Sequence, residues 1–466
     1  MEAPPYKICF DNILGRHLVA THSIDCGTVI LEEPPLIRGP FFHTYAVCLA
    51  CGKILTEASS RPCSKCGWPL CDENCEKSPN HQPECILTVA RGNKISIKNF
   101  GVSNPNYQFV TILRALYLKQ AAPEMWEKLM QLQPHPIDVN IAPPSFIRKL
   151  FKLDDWSEDK IKKVAEILTI NGHELPIARS PQLAVYDKTS LLEHCCQANC
   201  TKTFTNEGHV LVIAARQIEE NEHLSICYTD PLWGVENRRL HLHQTKHFWC
   251  SCSRCEDPSE MGTNINSIRC PNESCSGFVL PKTFLQEIKI WNCDSCDAVF
   301  SNDNISLLLG KIGAEVSEMP KEDAAACKQF IKKYDKVLAA THFYMIDVKM
   351  ALSHMLSSEN YEELSYNDLK LLFKTTEELK MVAETIAPAE RRLLGLILYR
   401  LAKTKIEMAR RDDDEGKFRS VLAESRNDFC EARLFLANEP TVLPEGRVCL
   451  KIGLELKLID DLLTKK

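Results

Sequence analysis

The sequence predicts a multidomain α+β chain, in which a β-rich core is interrupted by a zinc finger and a helical insert and is followed by further zinc-binding segments and an all-α carboxy-terminal region. Three observations carry this expectation. At 466 residues the chain exceeds what one compact core accommodates, so several domains are expected. Its 23 cysteines fall in spaced groups, several of them with the gaps that metal ligands use. Hydrophobic periodicity also changes along the chain, from strand-like segments to helical spacing, back to alternation, and finally to helix.

Composition narrows the function classes. With 44% hydrophobic and 25% charged residues the chain reads as an ordinary soluble protein, and a net charge of −6 gives no overall pull toward nucleic acid or anionic membrane. The longest apolar run, LLGLILY at 393–399, is flanked by Arg391, Arg392 and Arg400 and reads as a buried helix, so no membrane span is expected. The start, MEAPPYKICF, lacks the basic and apolar regions of a signal peptide. The thiols are therefore expected in the reducing cytoplasm and nucleus, where dense cysteine means metal before disulfide.

Taken in order, residues 17–37 read as two short strands around a turn at Gly27. Between 48 and 85 the ligands run Cys48-x2-Cys51, Cys63-x2-Cys66, Cys71-x3-Cys75 and His81-x3-Cys85, eight donors that suffice for two closed tetrahedral sites. So little apolar sequence separates them that metal is expected to supply most of the folding energy. Residues 105–165 are helical in pattern, as in FVTILRALYLKQ and EDKIKKVAEIL. TKTFTNEGHVLVIAA then reads as a hairpin turning at Asn206, Glu207 and Gly208, and HLSICY as a further strand.

WCSCSRC supplies Cys250, Cys252 and Cys255, one thiolate short of a closed site, and the cluster LLEHCCQANC at 191–200 is a candidate source of the fourth. Cys270-x4-Cys275 and Cys293-x2-Cys296 form a complete four-cysteine ribbon around a 17-residue loop. From about 304 onward the pattern is helical. One helix carries Phe418, Leu422, Phe429 and Leu436, and Pro440 and Pro444 precede a last helix near 446–464. RRDDDEG at 410–416 reads as a solvated loop. No strict 34-residue signature is present, and paired helices of tetratricopeptide type and a plain bundle both satisfy the pattern.

The ligand order in 48–85 resembles the MYND zinc finger. That resemblance implies interleaved sites, Cys48, Cys51, Cys71 and Cys75 on one ion and Cys63, Cys66, His81 and Cys85 on the other, and binding of proline-containing peptides. CGWPLC at 66–71 and the short spacing from Cys75 to His81 depart from the usual pattern. Five further segments fall in the order expected of the SET- and MYND-domain (SMYD) family. GRHLVA at 15–20 and NGHEL at 171–175 resemble its cofactor segments, and SLLEHCCQAN at 190–199 its NHSCxPN motif. ICYTD at 226–230 resembles its catalytic-tyrosine motif, and FWCSCSRC at 248–255 its post-SET zinc segment. The resemblance covers essentially the whole chain, and CGWPLC, RCEDPSEMGT and the ribbon ending WNCDSC are most similar to the arthropod-specific branch. The division it implies is a SET amino-terminal part at 1–43, a MYND finger at 44–86, a helical insert at 87–165, core SET at 166–235, a post-SET zinc segment at 236–260, a zinc ribbon at 261–303 and a helical, TPR-like domain at 304–466.

The activity implied by the resemblance is protein-lysine N-methylation, with S-adenosylmethionine as methyl donor and a histone or another protein as substrate. Tyr228 would be the catalytic residue. The cofactor pocket would comprise Gly15, Arg16, His17, Leu18, Asn171, Ser190, Leu191, Glu193, His194, Tyr228 and Phe248, the last stacking on adenine. Cys196 would join Cys250, Cys252 and Cys255, making four zinc sites in all. The other cysteines, Cys9, Cys26, Cys195, Cys200, Cys227, Cys327, Cys430 and Cys449, are then expected to be ordinary buried thiols.

Several residues depart from the family pattern. Glu193 replaces an asparagine, and an ionised carboxylate only accepts hydrogen bonds and repels the donor's own carboxylate. Lys246 stands where relatives have a second active-site tyrosine, GRH replaces smaller residues at 15–17, and Ala198 replaces a proline. A Glu193–Lys246 ion pair is one expected compensation. The alternative to an active enzyme is a SET scaffold with weak or lost catalysis that acts as a MYND-based adaptor in transcriptional regulation. Residues 44–86 have no basic stripe for DNA. A monomer is expected.

Overall fold

The computed structural model describes residues 3–464 apart from 93, 137–141, 178–179, 297, 359 and 413. An amino-terminal hairpin pairs Tyr6–Asp11 with Gly15–Ala20, Asp11 opposite Gly15. The Asp11 carboxylate sets its turn by accepting the N–H groups of Ile13 and Leu14, each at 2.7 Å. Gly15 closes it at φ +71°, where a side chain would be strained.

The two strands flanking Gly27 belong to different sheets. Gly15–Ala20 stays in the hairpin, whereas Val29–Glu33 pairs with Val210–Ala214, which in turn pairs with Cys200–Phe204 through the expected turn ending at Gly208. A third sheet sets Gln182–Val185 between Ile37–Pro40 and His173–Leu175. HLSICY contributes only Ser225–Ile226, parallel to Glu193–His194. The ladder stops there because the next available donor, the Tyr228 N–H, goes to His194 Nδ1 at 3.0 Å instead of to a strand. This short parallel pairing brings the ICYTD and LLEHCC segments together. Leu18, Leu31, Leu192, Val212 and Ile226 bury one shared core beneath it.

The insert forms helices at Val110–Ala121, Pro123–Gln131, Pro144–Leu150 and Glu158–Asn171. It also completes the finger. Tyr107 donates its hydroxyl to the Val47 carbonyl at 2.8 Å and accepts from the Val47 N–H at 2.9 Å, and Tyr107 and Val110 bury against Trp68, Leu55 and Leu70. The finger therefore has an apolar core, but one shared with its neighbour. Gly67 of CGWPLC is required at φ +80°, since a Cβ there would lie 2.2 Å from the Ile95 carbonyl oxygen.

Beyond the core a helix spans Val235–Lys246, and the ribbon forms four antiparallel strands in the order Ile268–Arg269, Phe278–Pro281, Ile290–Cys293 and Val299–Ser301. Seven helices follow among the described residues, from Asn302 to Thr464. The helix Glu415–Leu436 buries Leu422, Phe429 and Leu436, and the last helix is Pro444–Thr464. LLGLILY lies in Arg391–Arg410 with Leu394, Ile397 and Leu398 buried. RRDDDEG is a loop only in part: Arg410 ends one helix and Asp414 caps the next by accepting from the Lys417 N–H at 3.0 Å, while Asp413 lies outside the described residues. Among the described residues no helix is long and apolar enough to cross a membrane.

Candidate functional site

Four donor sets come together, each with its ligand atoms within 4.8 Å of one another: Cys48, Cys51, Cys71 and Cys75; Cys63, Cys66, His81 and Cys85; Cys196, Cys250, Cys252 and Cys255; and Cys270, Cys275, Cys293 and Cys296. A tetrahedral ion with zinc–sulfur bonds of about 2.3 Å holds its sulfurs about 3.8 Å apart. The observed separations are 3.5 Å for Cys51 and Cys71, 3.9 Å for Cys63 and Cys85, 3.6 Å for Cys196 and Cys255, and 3.5 Å for Cys275 and Cys293. These lengths fit metal, and all the cysteines are free of disulfides.

The second of these sets is braced from behind. His81 Nδ1 lies 2.9 Å from Glu84 Oε1, and Arg114 Nε donates to Glu84 Oε2 at 2.8 Å while its Nη2 reaches the Leu49 carbonyl at 2.6 Å. Such a carboxylate fixes the histidine tautomer so that Nε2 faces the ion. We expect Glu84→Ala to weaken zinc at this site by about 10- to 100-fold. Competition against a graded series of chelators measures this, and the other three sites should hold their metal unchanged.

The third set carries a second brace. Arg238 Nε donates to Cys196 Sγ at 3.3 Å and its Nη2 lies 3.8 Å from Cys255 Sγ, a cation set against thiolates. Glu260 in turn sits between Arg238 and Arg254, with Arg238 Nη1 3.1 Å from Oε2, and all three residues are 0% exposed. Arg254 also donates to the carbonyls of Cys196 at 3.0 Å, Pro231 at 2.6 Å and Ile386 at 3.1 Å. One carboxylate thus holds together the core, the zinc segment and the helical domain. Glu260 belongs to RCEDPSEMGT, yet nothing in its spacing marks it.

The expectation of buried thiols for the remaining cysteines needs correction. Cys200 and Cys327 are buried, whereas Cys9, Cys195, Cys227 and Cys449 are half-buried and Cys26 and Cys430 are exposed. Cys26 precedes the Gly27 turn, where its Sγ accepts from Arg391 Nη2 at 2.7 Å, and Cys430 lies on the solvent face of its helix.

Beside the third donor set, His194 orders an aromatic cluster. Its Nδ1 accepts the Tyr228 N–H, its Nε2 is 3.3 Å from Cys196 Sγ, and its ring lies 5.3 Å from that of Tyr228 and 5.8 Å from that of Phe248. The Tyr228 hydroxyl donates to the Leu192 carbonyl. Burial, with the Glu193 charge adding to it, pushes the phenol well above its ordinary pKa, so it stays a donor.

The other expected pocket residues meet along a segment that spacing arguments did not single out. Arg16 Nη2 donates to the Gln131 carbonyl at 2.7 Å, Asn171 Nδ2 to the Gln133 carbonyl at 3.0 Å, and Gln133 Oε1 lies 3.7 Å from where a Gly15 Cβ would be. The His135 ring stacks on His247 at 3.6 Å. Residues 131–135 therefore cross Gly15, Arg16 and Asn171. The signal was present in QPHP at 133–136, two prolines that end a helix and favour an extended strap. Leu18 and Leu191 are buried in the core with Leu192 and Ile226, and Ser190 Oγ donates to the Tyr186 carbonyl at 2.7 Å.

The expected Glu193–Lys246 ion pair does not form. Glu193 Oε2 instead lies 3.1 Å from His223 Nδ1, and the His223 ring stacks at 4.5 Å on His17, whose Nδ1 is 3.7 Å from Asp11 Oδ2. Lys246, at the end of its helix, donates from Nζ to the Ile170 carbonyl at 2.6 Å and lies 5.5 Å from the Tyr228 ring centroid. The two side chains leave different elements and are each engaged by a nearer partner.

Comparison with known proteins places these features in a family. The SET domain model matches residues 15–229. The SET domain-containing protein SmydA-8, isoform A, of Drosophila melanogaster is 23% identical over 409 residues, covering 85% of this chain and 88% of that protein. Histone-lysine N-methyltransferase SMYD3 of Mus musculus is 29% identical over 249 residues, 51% of this chain and 52% of its own. Histone-lysine N-methyltransferase SMYD1 of Homo sapiens is 24% identical over 391 residues, 76% of this chain and 72% of its own. With the SET core, the four cysteine-rich donor sets and a helical carboxy-terminal region all in place, the chain carries a SET domain and is similar over most of its length to SET- and MYND-domain (SMYD) proteins, the arthropod SmydA-8 among them.

Proposed function

We propose that the chain is a protein-lysine N-methyltransferase that uses S-adenosylmethionine and acts on a histone or another protein. The observation that carries this reading is the meeting of Tyr228, His194 and Phe248 at the ladder that joins the NHSC-like and tyrosine segments. Relatives that carry the name histone-lysine N-methyltransferase support it. The donor, when bound, brings a methyl on a sulfonium, already a strong electrophile. The chain's own residues then have to align a neutral amine and exclude water.

In this reading the Tyr228 hydroxyl orients the acceptor amine and Phe248 stacks on adenine. The backbone of His194 meets the adenine edge, and Gly15, Arg16, His17, Leu18, Asn171, Ser190 and Leu191 complete the pocket with residues 131–135. Glu193 is compatible with it because His223, stacked on His17, holds its carboxylate on the hairpin side. Zinc at the four sites fastens these segments, the MYND finger takes proline-containing peptides, and the protein acts as a monomer in cytoplasm and nucleus.

Calorimetric titration with S-adenosylmethionine, followed by methyl transfer to core histones, tests the reading. Tyr228→Phe should lower transfer by about 100-fold, far more than it changes donor affinity. Absence of binding up to millimolar donor overturns it. The position of Lys246 against Tyr228 favours a second reading, a catalytically weak scaffold recruiting partners through the finger. Partner recovery that survives Tyr228→Phe but not deletion of 44–86 would select that reading.

A further inference from the structure

We propose that Lys246 is itself a methyl acceptor, a lysine that the chain presents to its own donor site. The inference rests on the methyltransferase reading above. Two contacts locate the amine between the proposed catalytic tyrosine and the segment proposed to hold the donor. Its Nζ faces the Tyr228 ring at 5.5 Å from the centroid, on the side of the proposed catalytic tyrosine. The same Nζ donates at 2.6 Å to the carbonyl of Ile170, the residue before Asn171 in the segment proposed to hold the donor.

The helix end directs this placement. A lysine in the last turn of a helix ordinarily extends into water. Here Val235–Lys246 terminates at His247 in the left-handed region, φ 62°, and the His247 ring is stacked on His135 of the strap. The chain turns back at that point and the lysine is half-buried, its amine directed to Ile170 and the Tyr228 ring. Among the described residues no carboxylate stands within ion-pair distance of Nζ, so no counter-ion stabilises the ammonium.

The groups that face it are Tyr228 and two bases, Lys202 and His173, which lie 3.2 Å apart through Nζ and Nδ1. Burial, and after it the Lys202 charge, bring Lys246 down to about 8. Near physiological pH part of the population is therefore a free amine, which a lysine at its ordinary value, about 10.4, would not supply.

The step balances without another reactant. The ammonium first loses a proton to water. The nitrogen lone pair then forms the N–CH3 bond as the S–CH3 bond breaks, and that electron pair stays on sulfur to give S-adenosylhomocysteine. The secondary ammonium formed sheds its proton to solvent.

The test needs no knowledge of the external substrate. The full-length chain is incubated alone with S-adenosylmethionine carrying a CD3 group and mapped by peptide mass spectrometry. The expected result is a CD3 label on Lys246, at a rate independent of protein concentration and rising as pH passes through about 8, the direction in which the amine becomes neutral. Donor bound calorimetrically with no label at Lys246 overturns this proposal and leaves the methyltransferase reading to its histone assay, whereas donor that does not bind overturns both.

A binding readout stands beside it. Sinefungin carries an ammonium where the donor carries its methyl, so at pH 7 Lys246→Met should raise sinefungin affinity at least about tenfold beyond any change for S-adenosylhomocysteine, by removing like-charge repulsion. Equal changes for the two ligands would show that Nζ does not face the methyl position, and would sink the proposal.

Discussion

Cys196→Ser is expected to release one of four zinc ions and to unfasten the catalytic core from the segment that follows it. The other three ligands of that site, Cys250, Cys252 and Cys255, come from one short stretch after the helix Val235–Lys246, so Cys196 is the member of the donor set that ties them to the core ladder. Structural zinc contributes on the order of 10 kcal/mol or more in small fingers at neutral pH, and a serine oxygen is a poor replacement for a thiolate. The loss extends further, because Arg238 gives up the thiolate it meets at 3.3 Å and His194, at 3.3 Å through Nε2, loses its neighbour while still holding the Tyr228 N–H. Metal analysis should fall from four zinc ions per chain to three, the first thermal transition should drop by about 10 °C or more, and donor binding should be lost with it. Cys430→Ser, on an exposed thiol, is the control and should keep all four ions. A Cys196→Ser chain that retains four ions and its first transition would remove the site from the fold's energetics.

How far the sequence disclosed this architecture depends on the range of the chemistry involved. Ligand spacing is local, and Cys270-x4-Cys275 with Cys293-x2-Cys296 declared itself as a site without help. Long helices are local too, since Glu415–Leu436 repeats an apolar face over several turns. The pairing of Cys196 with a distant triplet was legible only through resemblance, because nothing near it has metal spacing. Pairings of two residues, such as Glu193–His194 with Ser225–Ile226, leave no period to read. The partners of Glu193 and Lys246 were illegible for the same reason: His223 and Ile170 reach them through sheet register and a helix end, neither of which a residue type announces.

Glu260→Ala is the substitution outside the metal ligands with the largest expected cost. The carboxylate is fully buried between two fully buried guanidiniums, and it also accepts from Asn266 Nδ2 at 2.6 Å. Removing one partner of a buried ion pair costs about 3–5 kcal/mol, chiefly because the charge left behind has no water to turn to. Here two charges are left. Arg238 keeps its thiolates and Arg254 its three carbonyls, so neither is stripped completely, and the cost falls within that range instead of doubling it. Glu260→Gln retains an acceptor oxygen in nearly the same volume and should lie between wild type and alanine. Since Glu260 binds no metal, zinc content should remain at four ions while the midpoint of the first urea transition falls, the reverse of an effect that acts through ligation. The contacts with Ile386 and Pro231 add a second readout: amide exchange should accelerate around both residues, on the helical domain and on the core alike. A loss below about 1 kcal/mol, within the range of an exposed salt bridge, would mean that the cluster is wetter than its burial indicates and that the three segments are held by zinc alone.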